Sequence, residues 1–215
     1  MKKYSFVIWD FNGTLLDDTE IGIASQNAVL GRRKMKLIES VEEYRKIFDF
    51  PVIEYYKNLG YDFSKEPYDV VANEWVVEYL NRSKDAKLQK GALELVRKLK
   101  ENKIRQMILS ATESDMLSEQ TRNLGIKEYF DFIVGTDDIY AAGKTKAAKR
   151  FFEREKIDKD GVVLIGDTVH DYDVSLCLGV DCLLLACGHQ AMEKLKECQV
   201  PVFGNFDELR ENFII

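Results

Sequence analysis

The amino-acid sequence predicts an α/β fold, a doubly wound parallel sheet into which a small α-helical domain is inserted. Short apolar runs typical of buried strands alternate with amphipathic helical patterns along most of the chain. Strands that alternate with helices of this length imply parallel pairing, with crossover helices on both faces of the sheet. One segment, residues 17–86, breaks the alternation because it shows helical patterns and no convincing strand.

Six apolar runs predict the strands of this sheet. In chain order they cover residues 3–9, 104–109, 132–134, 162–165, 182–185 and 200–203. Amphipathic helical patterns lie between them, over residues 91–102, 116–124 and 147–152. Gly125 follows the second of these patterns and suits the left-handed position that often ends a helix.

The segment from residue 17 to residue 86 is expected to be a separate helical domain. At about seventy residues it is far longer than an ordinary connection inside a compact domain. Pro51 and the stretch 60–67 divide its helical patterns. We therefore expect a core domain of residues 1–16 and 87–215, with residues 17–86 inserted between the first and second strands.

The composition is that of a globular protein. Of 215 residues, 46% are hydrophobic and 32% are charged, too apolar for a disordered chain and too charged for a membrane-embedded one. With 31 basic and 37 acidic residues the net charge is −6, which argues against a nucleic-acid partner. The first apolar run is interrupted at Asp10, and no later run reaches about 18 residues. We expect no signal peptide, no membrane partner and a cytoplasmic location.

Four cysteines lie late in the chain, at Cys177, Cys182, Cys187 and Cys198. Their spacing does not match the paired ligands of common zinc sites, and their density is low for a secreted disulfide framework. We expect them to be buried as small apolar side chains.

Polar residues at the ends of the predicted strands indicate a binding crevice. Asp10 ends the first strand, Ser110 the second and Asp167 the fourth, with Asp171 one helical turn further on. Lys144 begins the helix that follows the third strand. Ligands of open parallel sheets bind at the carboxyl ends of the strands, so these side chains are expected to converge. Clustered carboxylates repel one another unless a cation lies among them.

The same residues resemble the four motifs of the haloacid dehalogenase superfamily. Residues 10–17, DFNGTLLD, are similar to the first motif, D-x-D-G-T-x-x-D, and residues 166–171, GDTVHD, to the fourth, G-D-x-x-x-D. Ser110 resembles the second motif and Lys144 the third, with Lys146 as a neighbouring alternative. The resemblance covers essentially the whole chain. The helical insertion resembles the small cap of the phosphoglycolate-phosphatase-like branch.

The resemblance implies a Mg²⁺-dependent phosphatase acting on a small phosphorylated metabolite. Asp10 would be the nucleophile that forms an aspartyl phosphate. Mg²⁺ would be held by Asp10, the backbone carbonyl of Asn12, Asp167 and Asp171, since this ion prefers oxygen ligands.

The remaining motif residues would bind the phosphoryl group. Lys144 would neutralise charge on the nucleophile and on the phosphoryl group. Gly13 would allow the sharp turn of the first motif. With Arg45 of the cap, the residues expected to bind substrate are Gly13, Thr14, Arg45, Ser110, Ala111, Thr112 and Lys144.

Position 12 departs from the family pattern. The phosphatases usually carry an aspartate there as general acid and base, whereas this chain has Asn12. An amide does not exchange a proton in this range, and general acid–base catalysis typically contributes about 10²- to 10⁴-fold. Asn12 also precedes Gly13, a pair prone to deamidation in flexible chains, so partial conversion to Asp or isoAsp is a further hypothesis.

Three interpretations of Asn12 stay open. In the first, the substrates are acyl or aryl phosphates, whose leaving groups need little protonation. In the second, another group replaces the missing acid, namely Asp17, Asp18, a cap residue or the substrate. In the third, the chain is a weak or inactive relative that binds Mg²⁺ and a phosphorylated ligand, or keeps a long-lived aspartyl phosphate.

The cap is expected to close over the crevice, exclude water and select the substrate. Arg45, in the basic and aromatic stretch 44–56, is the favoured cap residue for an anionic substrate. We expect His170 to be a spacer inside the fourth motif and His189 to support the C-terminal strand region. The chain is expected to be a monomer or a dimer.

Other functions on a similar pattern are also considered. A non-catalytic regulator that binds a phosphorylated ligand is the alternative from a different class. A phosphorylatable receiver domain also has an aspartate at a strand end, but the long insertion and the Gly13–Thr14 turn argue against it. Dehalogenase chemistry uses the same nucleophile without Mg²⁺, whereas Asp167 and Asp171 resemble a metal site.

Overall fold

The computed structural model describes residues 3–136 and 143–212, and these ranges contain eight strands and ten α-helices. The strands are β1 (Phe6–Trp9), β2 (Leu16–Asp17), β3 (Lys87–Leu88), β4 (Arg105–Glu113), β5 (Phe132–Thr136), β6 (Val162–Gly166), β7 (Asp181–Leu185) and β8 (Val202–Phe203). The helices are α1 (Thr19–Arg32), α2 (Val41–Ile47), α3 (Val52–Asn58), α4 (Tyr68–Arg82), α5 (Ala92–Glu101), α6 (Ser114–Asn123), α7 (Gly143–Glu155), α8 (Val169–Leu178), α9 (Met192–Lys196) and α10 (Phe206–Asn212). Within the same ranges, no helix combines the length and the apolar character needed to cross a bilayer.

Six of the strands form one sheet in the order β5–β4–β1–β6–β7–β8, and every pairing in it is parallel. All six predicted strands are therefore confirmed. Strand β1 lies inside the sheet, between β4 and β6. This order brings the carboxyl ends of β1, β4 and β6 side by side, where ligands bind in open sheets of this kind.

Helices cover both faces of the sheet, which confirms the doubly wound architecture. On one face, Val7 and Trp9 of β1 share a core cluster with Leu95 and Leu99 of α5. On the other face, Ile8 of β1 lies in a cluster with side chains of α7 and α8. Successive side chains of a strand point to opposite faces, so a strand covered on both sides must be apolar throughout.

Helices α1–α4 lie between β2 and β3 and form the helical cap. Their core is largely aromatic, and its buried tyrosines are Tyr44, Tyr55, Tyr56 and Tyr61. Strands β2 and β3 pair antiparallel at the two ends of the helical segment, with Leu16 opposite Leu88. This ribbon was not predicted because strands of two residues carry no periodicity. The domain limits at residues 17 and 86 stay a prediction.

Two local features place the polar residues of the crevice. Strand β4 continues past its predicted end at Ser110 to Glu113, with an irregular register between Leu109 and Glu113. Helix α8 begins with a capping box, in which Thr168 and Asp171 each accept from the backbone N–H of the other. The fourth motif therefore lies at the N-terminus of a helix, directly after β6.

The cysteines differ in exposure. Cys182 and Cys198 are buried as expected, and Cys187 is half-buried. Cys177 is exposed, so the expectation of burial is wrong for this residue. It lies on α8, whose buried face consists of Asp171, Val174, Ser175 and Leu178, and Cys177 lies on the other face.

Candidate active site

Three carboxylates and one lysine meet at the carboxyl ends of β1 and β6. Asp10 follows β1, Asp167 follows β6, and Asp171 lies in the first turn of α8. One oxygen of each carboxylate lies within 4.8 Å of the others, and all three side chains are buried. We call these three residues the carboxylate triad. Lys144 of α7 forms an ion pair with Asp10 and a second with Asp171, whose Oδ1 lies 2.5 Å from its Nζ.

Of the two candidate lysines, Lys144 reaches the carboxylate triad and Lys146 does not. The side chain of Lys144 is 3% exposed, whereas Lys146 is exposed to solvent. Both lie in the first turn of α7, where residues two positions apart do not share a face. The buried cation offsets part of the negative charge of the triad.

Burial and mutual repulsion dominate the electrostatics of the triad. Burial raises the pKa of Asp10 well above its ordinary value, against the lowering effect of Lys144, and Asp171 and Asp167 add to the rise. Burial also raises the pKa of Asp167 to about 6, with His189 opposing it. Burial opposes ionisation of Asp171 as well, but Lys144 holds its pKa below the ordinary value. Such clustered acids attract a further cation.

The backbone of the first motif lies close against Asp167. Gly13 has φ +77°, and a Cβ there would lie 2.5 Å from Cδ2 of His189 and 2.9 Å from Cγ of Asp167. A Cβ at Gly188 would also overlap Asp167. Thr14 Oγ1 donates to Asp167 Oδ1 at 2.8 Å, and the backbone N–H of His189 donates to Oδ2 at 2.7 Å. Close approach and hydrogen bonding together fix the orientation of this carboxylate.

Asn12 is held by hydrogen bonds at both ends of its amide. Its Nδ2 donates to Asp18 Oδ2 at 2.9 Å and to the Tyr79 hydroxyl oxygen at 2.8 Å. Its Oδ1 accepts from Thr112 Oγ1 at 2.9 Å, and Ser110 Oγ lies 3.5 Å away. The partners assign the amide orientation, since an amide nitrogen donates and its oxygen accepts. The oxygen therefore faces the hydroxyl groups at the end of β4.

Asp18, the N-cap residue of α1, is buried and has four donors around its carboxylate. Oδ1 accepts from the backbone N–H of Gly13 at 2.7 Å and lies 3.4 Å from Nε2 of His189. Oδ2 accepts from Asn12 and from the Tyr79 hydroxyl, the latter at 2.5 Å. Burial opposes the ionised form, but the charge of His189 and these hydrogen bonds lower the pKa of Asp18. The carboxylate is therefore held as an anion.

His189 connects Asp18 to the cap. Its Nδ1 lies 2.9 Å from the Tyr44 hydroxyl, while its Nε2 faces Asp18. Burial alone would lower the pKa of His189, but the negative charges of Asp18, Asp167 and Asp10 raise it to about 9. The imidazole is therefore charged at neutral pH. The sequence-based expectation gave His189 only a supporting role in the C-terminal strand region, and the structure places it in the crevice instead.

Ser110 and Thr112 place two hydroxyl groups at the same edge of the sheet. The Ser110 hydroxyl donates to Thr112 Oγ1 at 3.0 Å, and the Thr112 backbone N–H donates to Ser110 Oγ at 3.0 Å. Ala111 lies between them, and its carbonyl accepts a hydrogen bond from a threonine of β5. Helix α6 is capped by Glu113, so Ser110 is not an N-cap. The hydroxyl groups of this segment are linked to each other and to Asn12 at the edge of the crevice.

Arg45, the predicted cap residue, contacts the core domain. Its Nε donates to the carbonyl of Gly188 at 2.7 Å, and its Nη2 donates to the carbonyl of Cys187 at 2.6 Å. Nearby, Phe50 stacks on His170 with ring centroids 4.8 Å apart. Both contacts join the cap to segments that border the carboxylate triad. A contact between Arg45 and a substrate stays a prediction.

Two cap tyrosines of this site gave no signal in the sequence. Tyr79 lies 67 residues from Asn12 and reaches it because α4 packs on α1. Tyr44 reaches His189 across 145 residues. Both are among ten tyrosines, any of which would suit the cap core equally well. One indication of this network was present in the sequence, the carboxylate of Asp18, which directly follows the first motif.

The comparisons with known proteins identify the family of this chain. The model of a haloacid dehalogenase-like hydrolase family matches residues 7–185. A haloacid dehalogenase-like hydrolase from Streptococcus pneumoniae has a similar structure, with 17% identity, a TM-score of 0.82 and coverage of 98% of this chain and 99% of that chain. No match was found among curated proteins.

Two further solved structures are similar over nearly their whole length. A candidate phosphoglycolate phosphatase from Lactobacillus delbrueckii subsp. bulgaricus has 15% identity, a TM-score of 0.75 and coverage of 99% of each chain. Protein Tyrosine Kinase A from Mycobacterium tuberculosis has 20% identity, a TM-score of 0.82 and coverage of 100% of each chain. At these identities the similar structures establish the fold alone.

Proposed function

The chain belongs to the haloacid dehalogenase-like hydrolase family, and we propose that it is a Mg²⁺-dependent phosphatase that forms an aspartyl phosphate on Asp10. The observation that carries the proposal is the ion pair between buried Asp10 and Lys144, beside Asp167 and Asp171. A carboxylate held next to a fixed cation suits attack on an anionic phosphorus atom. The substrate class is a small phosphorylated metabolite.

The carboxylate triad fits a divalent cation. Asp10, Asp167 and Asp171, with the backbone carbonyl of Asn12, are the groups that would hold Mg²⁺. Burial raises the pKa values of Asp10 and Asp167, and repulsion from the neighbouring carboxylates adds to both shifts. Oxygen donors of this kind suit Mg²⁺. When bound, the ion would screen the repulsion between the nucleophile and the phosphoryl group.

Asp10 performs the covalent step. One carboxylate oxygen attacks phosphorus, the bond from phosphorus to the leaving oxygen breaks, and water later hydrolyses the mixed anhydride. Lys144 stays protonated, because its ion pairs with Asp10 and Asp171 raise its pKa despite burial. It neutralises charge on the attacking carboxylate and on the phosphoryl group. Ser110 and the N–H group of Ala111 supply further donors to phosphoryl oxygens.

Asn12 limits the substrates. Its amide accepts and donates hydrogen bonds but transfers no proton. Asp18 does not replace the missing acid, because its four donor contacts occupy the carboxylate. Asp17 is exposed to solvent. We therefore favour phosphates with good leaving groups, such as acyl or aryl phosphates, and slow hydrolysis of the aspartyl phosphate.

The same residue favours a second candidate function. A chain without the general acid and base would hold a phosphorylated ligand, or a long-lived aspartyl phosphate, as a regulator. One structurally similar protein bears the name of a kinase, so transfer of the phosphoryl group to an acceptor other than water is compatible with the fold.

Phosphate release from acetyl phosphate and p-nitrophenyl phosphate tests the proposed function. The wild type, Asp10→Asn and the matched control Asp173→Asn are compared with Mg²⁺ and with EDTA. Asp173 is an exposed carboxylate of α8 outside the triad. We expect Mg²⁺-dependent release by the wild type and the control, and none by Asp10→Asn. Failure of the folded wild type to release phosphate from either compound would favour the regulator.

A further inference from the structure

We propose that Asp18 and Tyr79 are positioning residues for Asn12, and that positions 12 and 18 form one unit that holds a single negative charge. In this unit the charge lies at position 18, on the side of the cap. Position 12 supplies a neutral amide, and the amide oxygen faces the hydroxyl groups of Ser110 and Thr112. The kinetic part of this inference rests on the proposed phosphatase function, whereas the pairing itself does not.

The first observation behind this proposal is the set of contacts that orients the Asn12 amide. Two acceptors, Asp18 Oδ2 and the Tyr79 hydroxyl oxygen, surround its Nδ2 at 2.9 and 2.8 Å. The Thr112 hydroxyl donates to its Oδ1, and Ser110 Oγ lies 3.5 Å away. Rotating the amide by half a turn would place its oxygen against the Asp18 carboxylate, and neither of these two groups can donate a hydrogen bond. The surroundings therefore select one orientation.

The second observation is the set of contacts that stabilises the Asp18 carboxylate as an anion. Its carboxylate is buried and is met by Gly13 N–H, His189 Nε2, Asn12 Nδ2 and the Tyr79 hydroxyl. A buried anion with every partner a donor is stabilised where it stands. An aspartate at position 12 would bring a second carboxylate to a place where the present contact is 2.9 Å. Like charges at this separation repel strongly in a buried site.

The consequence is specific to the pair. Asn12→Asp alone restores the family residue but meets the Asp18 carboxylate. The exchange Asn12→Asp with Asp18→Asn keeps one charge and one amide, with the donor now on position 18. Side-chain volume is almost unchanged in each variant. The exchanged pair is therefore expected to accept an aspartate at position 12, which the single variant does not.

A double-mutant cycle measures the coupling between positions 12 and 18 and requires no enzyme activity. The Tm of the wild type, Asn12→Asp, Asp18→Asn and the exchanged pair is determined in EDTA. Loss of the His189 ion pair is common to the two variants that carry Asp18→Asn, so it cancels in the cycle. We expect Asn12→Asp to lower the Tm by at least about 3 °C in the wild-type background, and by much less in the Asp18→Asn background. Additive shifts would overturn the pairing.

Kinetics separate positioning from mere stability. On p-nitrophenyl phosphate we expect the exchanged pair to exceed Asn12→Asp in kcat by at least about tenfold, with little change in KM. The carboxylate at position 12 is then no longer repelled by a second carboxylate and can act as general base for the attacking water. Equal kcat for the two variants would overturn the proposal. If wild type and all variants are inactive, the phosphatase function fails, and the Tm cycle alone decides on the pair.

The Tyr79 hydroxyl is tested with a matched tyrosine. Tyr79→Phe removes one acceptor of Asn12 and one donor to Asp18. Tyr55 is another buried cap tyrosine, and its hydroxyl has no hydrogen-bond partner in the described part of the chain. We expect Tyr79→Phe to lower kcat about three- to tenfold at unchanged KM, and Tyr55→Phe to leave kcat unchanged. Identical kinetics for both variants would remove Tyr79 from the proposal.

Discussion

The side chains of Asn12 and Asp18 are joined by a hydrogen bond of 2.9 Å, in which the amide nitrogen donates to the carboxylate. Asp18 also accepts from the Tyr79 hydroxyl, and its second oxygen faces His189. A carboxylate so surrounded by donors complements an asparagine at position 12 and not an aspartate. The departure from the family motif is therefore matched by the local structure.

Lys144 and Lys146 give a matched pair of variants. Lys144→Met leaves Asp10 and Asp171 without their buried cation. We expect its phosphatase activity to fall by about 10²- to 10³-fold, the usual effect of losing a preorganised charge at the reacting centre. Lys146 is exposed, so Lys146→Met should keep the wild-type rate. Steady-state kinetics on acetyl phosphate checks both, and similar losses in the two variants would contradict the assignment of Lys144.

Gly13 and Gly125 separate backbone strain from crowding. Both have positive φ, +77° and +65°, so an alanine at either position is strained by about 1–2 kcal/mol. Only at Gly13 would the new Cβ overlap Asp167 and His189, since nothing lies within 4 Å of a Cβ at Gly125. We expect Gly125→Ala to be active with a lower Tm, and Gly13→Ala to lose activity by at least about 100-fold because Asp167 is displaced. Retained activity in Gly13→Ala would show that this close approach is not required.

The ion pair between His189 and Asp18 predicts a pH dependence of stability. The folded-state pKa of His189 is raised to about 9, above its ordinary value of 6.5. The stability that it contributes is therefore fully present below pH 6.5 and is lost as the pH rises through about 9. The Tm of the wild type in EDTA should fall across this window, and His189→Gln should flatten the fall.

His170 supplies the control for this pH dependence, since the chain has only two histidines. Burial, together with the charge of Lys144, lowers the pKa of His170, so it stays neutral over the same window. His170→Gln should therefore keep the wild-type slope of Tm against pH. A slope that follows His170 instead of His189 would contradict the assigned ion pair.

The pair Asn12–Gly13 should resist deamidation in the folded protein. Deamidation requires the backbone nitrogen of Gly13 to attack the side-chain carbonyl carbon of Asn12. In the structure this N–H donates to Asp18 at 2.7 Å, and the Asn12 amide is held at both ends. Peptide mapping should find unmodified Asn12 in the native protein and conversion to Asp or isoAsp after incubation in urea. Equal rates in both conditions would mean that these contacts do not protect the amide.

The sheet and the carboxylate triad could be predicted because their signals are local. Asp10, Ser110 and Asp167 each follow a strong apolar run, and parallel pairing places the ends of such runs at one edge. The sequence left Lys144 and Lys146 as alternatives, and the structure decides between them by showing which face of α7 is buried. The end of β4 was misplaced because polar residues continue the strand through an irregular register.

The network around Asn12 could not be predicted, because it depends on how the cap packs against the core domain. Tyr79 and Tyr44 are separated from their partners by 67 and 145 residues. Neither contact has a sequence period, and a tyrosine in a helix is equally suited to a cap core. The role of His189 follows from its position between Asp18 and Tyr44, which only the assembled fold defines.

Trapping the phosphorylated intermediate tests the central claim most directly. The wild type is incubated with acetyl phosphate and Mg²⁺, treated with borohydride to reduce any acyl phosphate, and digested for peptide mass spectrometry. We predict reduction of Asp10 to homoserine, and no such product in Asp10→Asn. Because Asn12 supplies no general base, the aspartyl phosphate on Asp10 should be hydrolysed slowly and accumulate. Release of phosphate with reduction at another carboxylate, or with none, would contradict the account.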